Sequence, residues 1–136
     1  MADPRAPRIF IAEDDESILD LLVTRMRIAG YHTSYERDGS AALEAIKRSP
    51  PTACILDVNM PGLDGFQVLK RLRADPLTAH IPILILTARR APDDIKTAIR
   101  LGATDYLTKP FNDEQLLTRV ARLLRKRNVP NKVVYI

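Results

Sequence analysis

The stretch Ala53-Cys54-Ile55-Leu56-Asp57-Val58-Asn59-Met60-Pro61-Gly62-Leu63-Asp64-Gly65 decides the reading of the fold. A short apolar run ends abruptly in the Asp57 carboxylate, and a Pro-Gly pair and a further glycine follow. The run reads as a buried strand. Pro61 and the glycines read as the turn that ends it. Asp57 then stands at the carboxyl end of a strand, where open α/β sheets place their chemistry. The next question is which partners the remaining chain brings to that carboxylate.

The same grammar recurs along the sequence. Arg8–Ala12 is a first strand, followed at once by Glu13-Asp14-Asp15-Glu16. From Ser17, Ile18, Leu21, Leu22, Met26 and Ala29 share a helical face that Gly30 ends. Tyr31–Tyr35 is a weaker second strand, and Asp38 caps a helix through Leu43 and Ile46 that stops before Pro50-Pro51. Asp64 caps a helix carrying Phe66, Val68, Leu69 and Leu72, closed by Asp75-Pro76. Pro82–Leu86 is a fourth strand, followed by Thr87-Ala88-Arg89. Pro92, Asp93 and Asp94 open a helix bearing Ile95, Ala98, Ile99 and Leu101, stopped by Gly102. Asp105–Thr108 is a fifth strand, running into Lys109-Pro110-Phe111. Asn112 and Gln115 have capping-box spacing before a helix bearing Leu116, Leu117, Val120, Leu123 and Leu124. Five strand–helix repeats specify a doubly wound parallel sheet in a three-layer α/β/α arrangement.

Composition sets limits. The 136 residues suit one domain, read as residues 8–127 between a flexible polar N-terminus, 1–7, and a C-terminal tail or linker, 128–136. Apolar residues make up 46% and charged residues 28%, ordinary for a soluble globular chain. There is no Trp, which argues against base stacking as a main activity. Cys54 has no disulfide partner in the chain and reads as inert core. No segment has the length and apolarity of a membrane span, and the N-terminus lacks a basic-then-apolar signal region, so a cytoplasmic location is expected. The net charge of +4 conceals six basic residues and no acid between Arg119 and Ile136. That run reads as a solvated helix end rather than a nucleic-acid site, because no nucleic-acid motif accompanies it.

In a parallel sheet the useful strand ends lie on one edge: Glu13 and Asp14, Asp57, Thr87 and Lys109. Crowded carboxylates repel, by about 4 kcal/mol for a pair ~4 Å apart at an effective dielectric of about 20. A hard divalent cation relieves that repulsion and keeps open positions for phosphate oxygens. With a lysine and a hydroxyl added, the set suits phosphoryl transfer onto a spare carboxylate.

On these residues the chain resembles the receiver domain of two-component response regulators. The markers are Glu13-Asp14, Asp57 with Met60-Pro61-Gly62 and Asp64-Gly65, Thr87-Ala88, and Lys109-Pro110-Phe111, in order from about Arg8 to Arg127. The resemblance implies a flavodoxin-like strand order 2-1-3-4-5. It implies Asp57 as phosphoacceptor, receiving its phosphoryl group from a histidine kinase or a histidine phosphotransfer protein. Asp14 directly, Glu13 through water, Asp57 and the Asn59 backbone carbonyl would hold Mg2+, with Mn2+ as a substitute. Thr87 and Lys109 would bind the phosphoryl oxygens, and small Ala88 leaves room for them. Pro110 would follow a cis bond. Thr87 and Tyr106 would form the switch, while Asn59 and Arg89 would tune the phosphoryl lifetime by controlling water. The output would be read by a downstream protein or output domain on the face of the fourth helix, fifth strand and fifth helix. A homodimer through that face is an open alternative: Asp105 and Arg119 fit one of the family's intermolecular pairs, whereas Thr104 and Gln115 stand where acids are common. No direct contact with nucleic acid or membrane is expected of this domain.

Three readings compete with this one. An aspartate-nucleophile phosphatase would need a second carboxylate two residues after Asp57, where Asn59 stands and cannot serve as acid or base. Such a switch is therefore expected to be no turnover enzyme, beyond self-phosphorylation from small donors and self-dephosphorylation. A flavodoxin-like cofactor binder would meet the repulsion of Glu13-Asp14-Asp15-Glu16 at its phosphate. A receiver cut from a larger regulator is compatible with every motif, since 136 residues leave no room for an output domain. Asp15, Glu16 and Asp64 read as helix-start residues, His32 and His80 as surface residues, and Lys132–Ile136 as an edge strand only in a minority reading.

Overall fold

The computed structural model describes residues 3–126. The tail 128–136, with its linker and edge-strand readings, lies outside the described residues. Five strands, β1 (Arg8–Ala12), β2 (His32–Glu36), β3 (Ala53–Leu56), β4 (Ile83–Thr87) and β5 (Asp105–Thr108), form one parallel sheet in the order β2-β1-β3-β4-β5. They alternate with helices α1 (Glu16–Ile28), α2 (Gly39–Arg48), α3 (Gly65–Ala74), α4 (Pro92–Arg100) and α5 (Asp113–Lys126). The doubly wound α/β/α fold expected from the repeats is the one observed.

Period-two alternation sends neighbouring strand residues into two separate cores. Phe10, Cys54, Leu56, Ile83 and Ile85 join Ile46, Leu69, Leu72 and Ala98 under α2, α3 and α4. Ile9, Ile11, Ile55, Leu84 and Leu86 join Leu22, Met26, Leu116 and Val120 under α1 and α5. β1, β3 and β4 are apolar almost throughout because both of their faces are covered. β2 and β5, at the edges, are not.

Local signals set the helix ends. Asp15, Asp38 and Asp64 each accept a backbone N–H from the first turn of the following helix. Gln67 closes a full capping box with Asp64, and Asn112 exchanges the same pair of bonds with Gln115. Packing decides two helix faces, and the α1 stripe differs from the expected one. On α1 the buried stripe is Leu19, Leu22 and Met26, with Ala29 exposed at the cap. On α4 only Ala98 is buried and Ile99 is 66% exposed. Ala98 and Ile99 are adjacent, so seating the small residue against the sheet turns the large one outward. The lead-in is tied down from residue 3: Ala6 N–H donates to Asp3 O, and His32 N–H to Pro7 O.

Arg73, near the end of α3, fastens the far edge of this scaffold. Its guanidinium donates to the carbonyls of Gly102 (2.9 Å), Ala79 (3.0 Å) and Ile81 (2.7 Å), and burial pulls its pKa down. Gly102 has φ +99°, and a Cβ there would press on the Arg73 stem at 3.1 Å. The glycine is thus required by both the turn and the arginine. Arg73→Met should lower the unfolding free energy by about 2 kcal/mol, since three carbonyls lose a charged donor. Urea denaturation reads this, and an unchanged midpoint would show that the clamp is slack.

Candidate functional site

The carboxyl ends of β1, β3 and β5 deliver three charged side chains to one point. Glu13 follows β1, Asp57 follows β3, and Lys109 follows β5. Lys109 Nζ donates to Glu13 Oε1 at 2.8 Å and to Asp57 Oδ2 at 2.9 Å. Glu13 is 2% exposed and Asp57 6%. One ammonium therefore serves two buried carboxylates. Burial pushes the Glu13 carboxyl up, more strongly than its Lys109 hydrogen bond pulls it down. Burial alone would lower the Lys109 pKa, but the two carboxylates outweigh it and raise it.

Backbone contacts fix this geometry. The Asp57 N–H donates to Ala12 O, extending the β1–β3 pairing, and Lys109 N–H donates to Thr87 O. Glu13 Oε2 accepts the Asp15 N–H, which aims its other oxygen at the lysine. The Lys109–Pro110 bond is cis, as expected. Gly65 is the least obvious requirement. A Cβ there would overlap the Asp57 carbonyl oxygen and lie 2.8 Å from Val58 Cα, while Gly65 N–H donates to Val58 O at 2.8 Å. The start of α3 is pressed onto the backbone of the Asp57–Val58 loop, and only glycine permits it. Gly65→Ala should cost about 2 kcal/mol of stability by overpacking. Thermal melting against the wild type measures this, and an equal midpoint would contradict the close approach.

The remaining candidate residues separate into two groups. Thr87 ends β4, fully buried, and its Oγ1 accepts the Arg89 N–H at 3.4 Å. Asn59 is exposed, and its Oδ1 accepts from Arg89 Nε at 3.1 Å and from a terminal Arg89 nitrogen at 2.8 Å. Tyr106 Oη donates to Arg89 O at 2.8 Å, while its ring packs against the core under α3 and α4. Ala88 is exposed at the mouth of the site. Asp14 stands apart: its carboxylate is exposed and, among the described residues, has no hydrogen-bond or ion-pair partner, while its carbonyl accepts from Arg37.

Among the described residues, no three acidic, histidine or cysteine side chains converge as a ready-made metal cage. The oxygen atoms still suit a hard cation. The Asp14 carboxylate is uncommitted, and Asp57 Oδ1 accepts only a long 3.4 Å bond from the Asn59 N–H. Glu13 and Asp57 share one ammonium between them, which leaves a formal negative charge. Few protein oxygens with open positions is what Mg2+ prefers.

Several contributors were not read from the sequence. Arg37 and Arg90 hold the carbonyls of Asp14 (3.0 Å) and Lys109 (2.6 Å). Phe66 lies under the Arg89 guanidinium, 5.8 Å from its ring centroid, and Asp94 of α4 pairs with that guanidinium at 3.4 Å. Scattered arginines carry no spacing signal. Phe66 and Asp94 were read as helix-face and helix-start residues, and they serve that role as well.

Residues 9–121 match the family model described as the response regulator receiver domain. The chain belongs to the receiver domain family. The transcriptional regulatory protein PrrA of Mycobacterium tuberculosis is 38% identical over 122 residues, 90% of this chain and 52% of that protein. This receiver spans about half the length of curated relatives that it matches. A response regulator from Chloroflexus aurantiacus superimposes with a TM-score of 0.85 at 37% identity, covering 89% of this chain and 99% of that one. The receiver domain of a sensor histidine kinase from Pseudomonas aeruginosa, 28% identical, superimposes with a TM-score of 0.82 over 88% of this chain and 98% of that one. That structure holds a magnesium ion in its active-site cleft.

On the receiver's face of α4, β5 and α5, Asp105 and Arg119 meet within the chain at 2.9 Å, and Arg119 also donates to Tyr106 O. Among the described residues, no helix is long and apolar enough to cross a membrane.

Proposed function

We propose that this receiver is a phosphorylation-controlled switch in which Asp57 accepts a phosphoryl group from a histidine kinase or a histidine phosphotransfer protein. The observation that carries the reading is Lys109 Nζ held between Glu13 and Asp57, three strand ends joined at one point. An Asp57 oxygen attacks phosphorus, the donor's P–N or P–O bond breaks, and its electron pair leaves with the imidazole or acyl oxygen. Lys109 stays with the acceptor and neutralises a phosphoryl oxygen. Thr87, whose hydroxyl proton is uncommitted, donates to another, and exposed Ala88 presents no bulk against the incoming group. Asp14, Asp57 and the Asn59 carbonyl would hold Mg2+, with Glu13 assisting through water. The ion, when bound, offsets negative charge on the transferring group.

Beside Lys109 a cavity of about 390 Å³ is lined by Ile18, Leu21, Ala88, Pro110 and Phe111. It supports docking of a donor protein's apolar helix face next to the acceptor. Asn59, bound by Arg89 through its amide oxygen, is no general acid, which favours a switch over a phosphatase. Output is read on α4, β5 and α5, where Tyr106 and exposed Ile99 lie. A second reading of output rests on chain length: spanning about half of its relatives, the receiver governs a DNA-binding or enzymatic domain outside these residues.

Incubation with acetyl phosphate, followed by intact mass, tests the reading. One phosphoryl group should be gained in the presence of Mg2+ and none in EDTA. Absence of the adduct under both conditions would contradict it.

A further inference from the structure

We propose that the open edge of β2 joins a second copy of this chain, strand to strand, in an antiparallel two-fold dimer. The contact is independent of the phosphorylation reading and lies on the sheet edge opposite β5. β2 contributes His32-Thr33-Ser34-Tyr35-Glu36 and pairs on one side only, with β1. His32 N–H donates to Pro7 O and Glu36 O accepts from Glu13 N–H, so His32, Ser34 and Glu36 turn their backbone groups inward. By alternation the N–H and C=O of Thr33 and Tyr35 point outward. Among the described residues nothing bonds to those four groups. The β5 edge is different. Tyr106 N–H donates to Asp105 Oδ1 at 2.8 Å and Tyr106 O accepts from Arg119 at 2.8 Å, so side chains already occupy its outward groups. β2 lacks such cover, and it has neither the lysine nor the proline that commonly blunts an edge.

The side chains select the occupant. An antiparallel dyad through Ser34 sets His32 opposite Glu36 of the second copy, Thr33 opposite Tyr35, and Ser34 opposite its own equivalent. It is the one two-fold register that pairs all five residues. Thr33 and Tyr35 then take the hydrogen-bonded positions, so four backbone bonds form across the axis. The strand is its own complement in charge as well. On the α2 side, Arg8 stands in register with His32, and Arg8, Ser34 and Glu36 line a cavity of about 210 Å³. The Glu36 carboxylate of the second copy therefore meets an imidazole with a guanidinium beside it. On the α1 side, Arg27 Nε donates to Thr33 Oγ1 at 3.1 Å. Thr33 faces Tyr35 of the second copy, so that ring comes against the Arg27 guanidinium, a favourable cation–ring contact. Tyr35 is 50% exposed in the single chain, and the dimer gives this ring a partner. The contact leaves the α4, β5 and α5 face free, because β2 and β5 are opposite edges of the sheet.

Sedimentation velocity of the full chain tests this. The weight-average mass should climb toward two copies as concentration rises to about 500 µM, the range expected of a small contact. Amide hydrogen exchange at Thr33 and Tyr35 should slow over the same range. Tyr35→Pro removes an outward N–H while keeping the bonds to β1, and symmetry doubles the loss. Association should weaken about tenfold or more. His32→Glu and Glu36→Arg should each be monomeric, because each sets like charges opposite one another. Mixed together, the two single variants should form a heterodimer, and the double variant His32→Glu/Glu36→Arg should recover the homodimer. Loss of the His32 bond to Asp3 O would not be repaired in that way. A wild type that stays monomeric at every concentration overturns the proposal, and so does a dimer that Tyr35→Pro leaves unchanged. A dimer that Tyr35→Pro abolishes but that the charge exchange does not move means that another segment occupies the edge, which overturns it too.

Discussion

Asp57→Asn should gain no phosphoryl group from acetyl phosphate and should fold at least as stably as the wild type. The expected fall in labelling rate is about three orders of magnitude or more, equivalent to about 4 kcal/mol of barrier. An amide oxygen carries no formal charge, and attack through it would leave a protonated, cationic product. The stability half follows from the ion arrangement. Lys109 is shared by two buried carboxylates, so neutralising one leaves the ammonium fully committed to Glu13 at 2.8 Å. Repulsion disappears and no charge is stranded. Loss of labelling with an unchanged or raised melting point is the expected pair of results. Labelling at the wild-type rate would remove Asp57 from its role.

Lys109→Met should do the opposite to stability while also slowing acceptance. The apolar stem fits the same channel, but Glu13 and Asp57 lose the one cation paired with them among the described residues. Both side chains are under one tenth exposed, so the repulsion is poorly screened. The unfolding free energy at neutral pH should drop by about 3 kcal/mol. The loss should shrink in acid. Burial already raises the Glu13 pKa, and removing the ammonium raises it further. A folded-state pKa above the unfolded one means that the folded protein binds a proton more readily, so stability rises as pH falls through that window. The wild type behaves differently at the alkaline end. The Lys109 pKa is raised, so its contribution is complete below the ordinary lysine range and is lost as pH climbs through the higher folded value. Urea titrations of both proteins across pH would show this, and parallel stability curves would contradict it.

Much of the receiver is legible in its sequence. Carboxyl-end chemistry reads from sequence because each buried strand ends abruptly in a polar residue, and parallel pairing puts those ends together. Asp38, Asp64 and Asn112 announced their helices through local bonds spanning three residues. What failed depended on rotation about a helix axis or on long side chains. On α4, Ile95, Ala98 and Ile99 read alike as apolar residues, and only packing shows that the small Ala98 takes the contact while Ile99 faces outward. Gly65 read as turn punctuation, whereas its cause lies in the Asp57 carbonyl, a contact set by tertiary packing. Arg89 read as one flank of the site. Its grip on Asn59, 30 positions earlier, follows from the reach of a flexible guanidinium that no spacing rule encodes.

The central claim is that the acyl phosphate forms on Asp57 and nowhere else. Borohydride reduction of the phosphorylated protein, followed by peptide sequencing, converts an aspartyl phosphate to homoserine at its own position. Homoserine should appear at position 57 alone, in the peptide that carries Asn59 and Met60. Homoserine at position 14 or 15, or phosphorylated protein that yields none, would contradict the account.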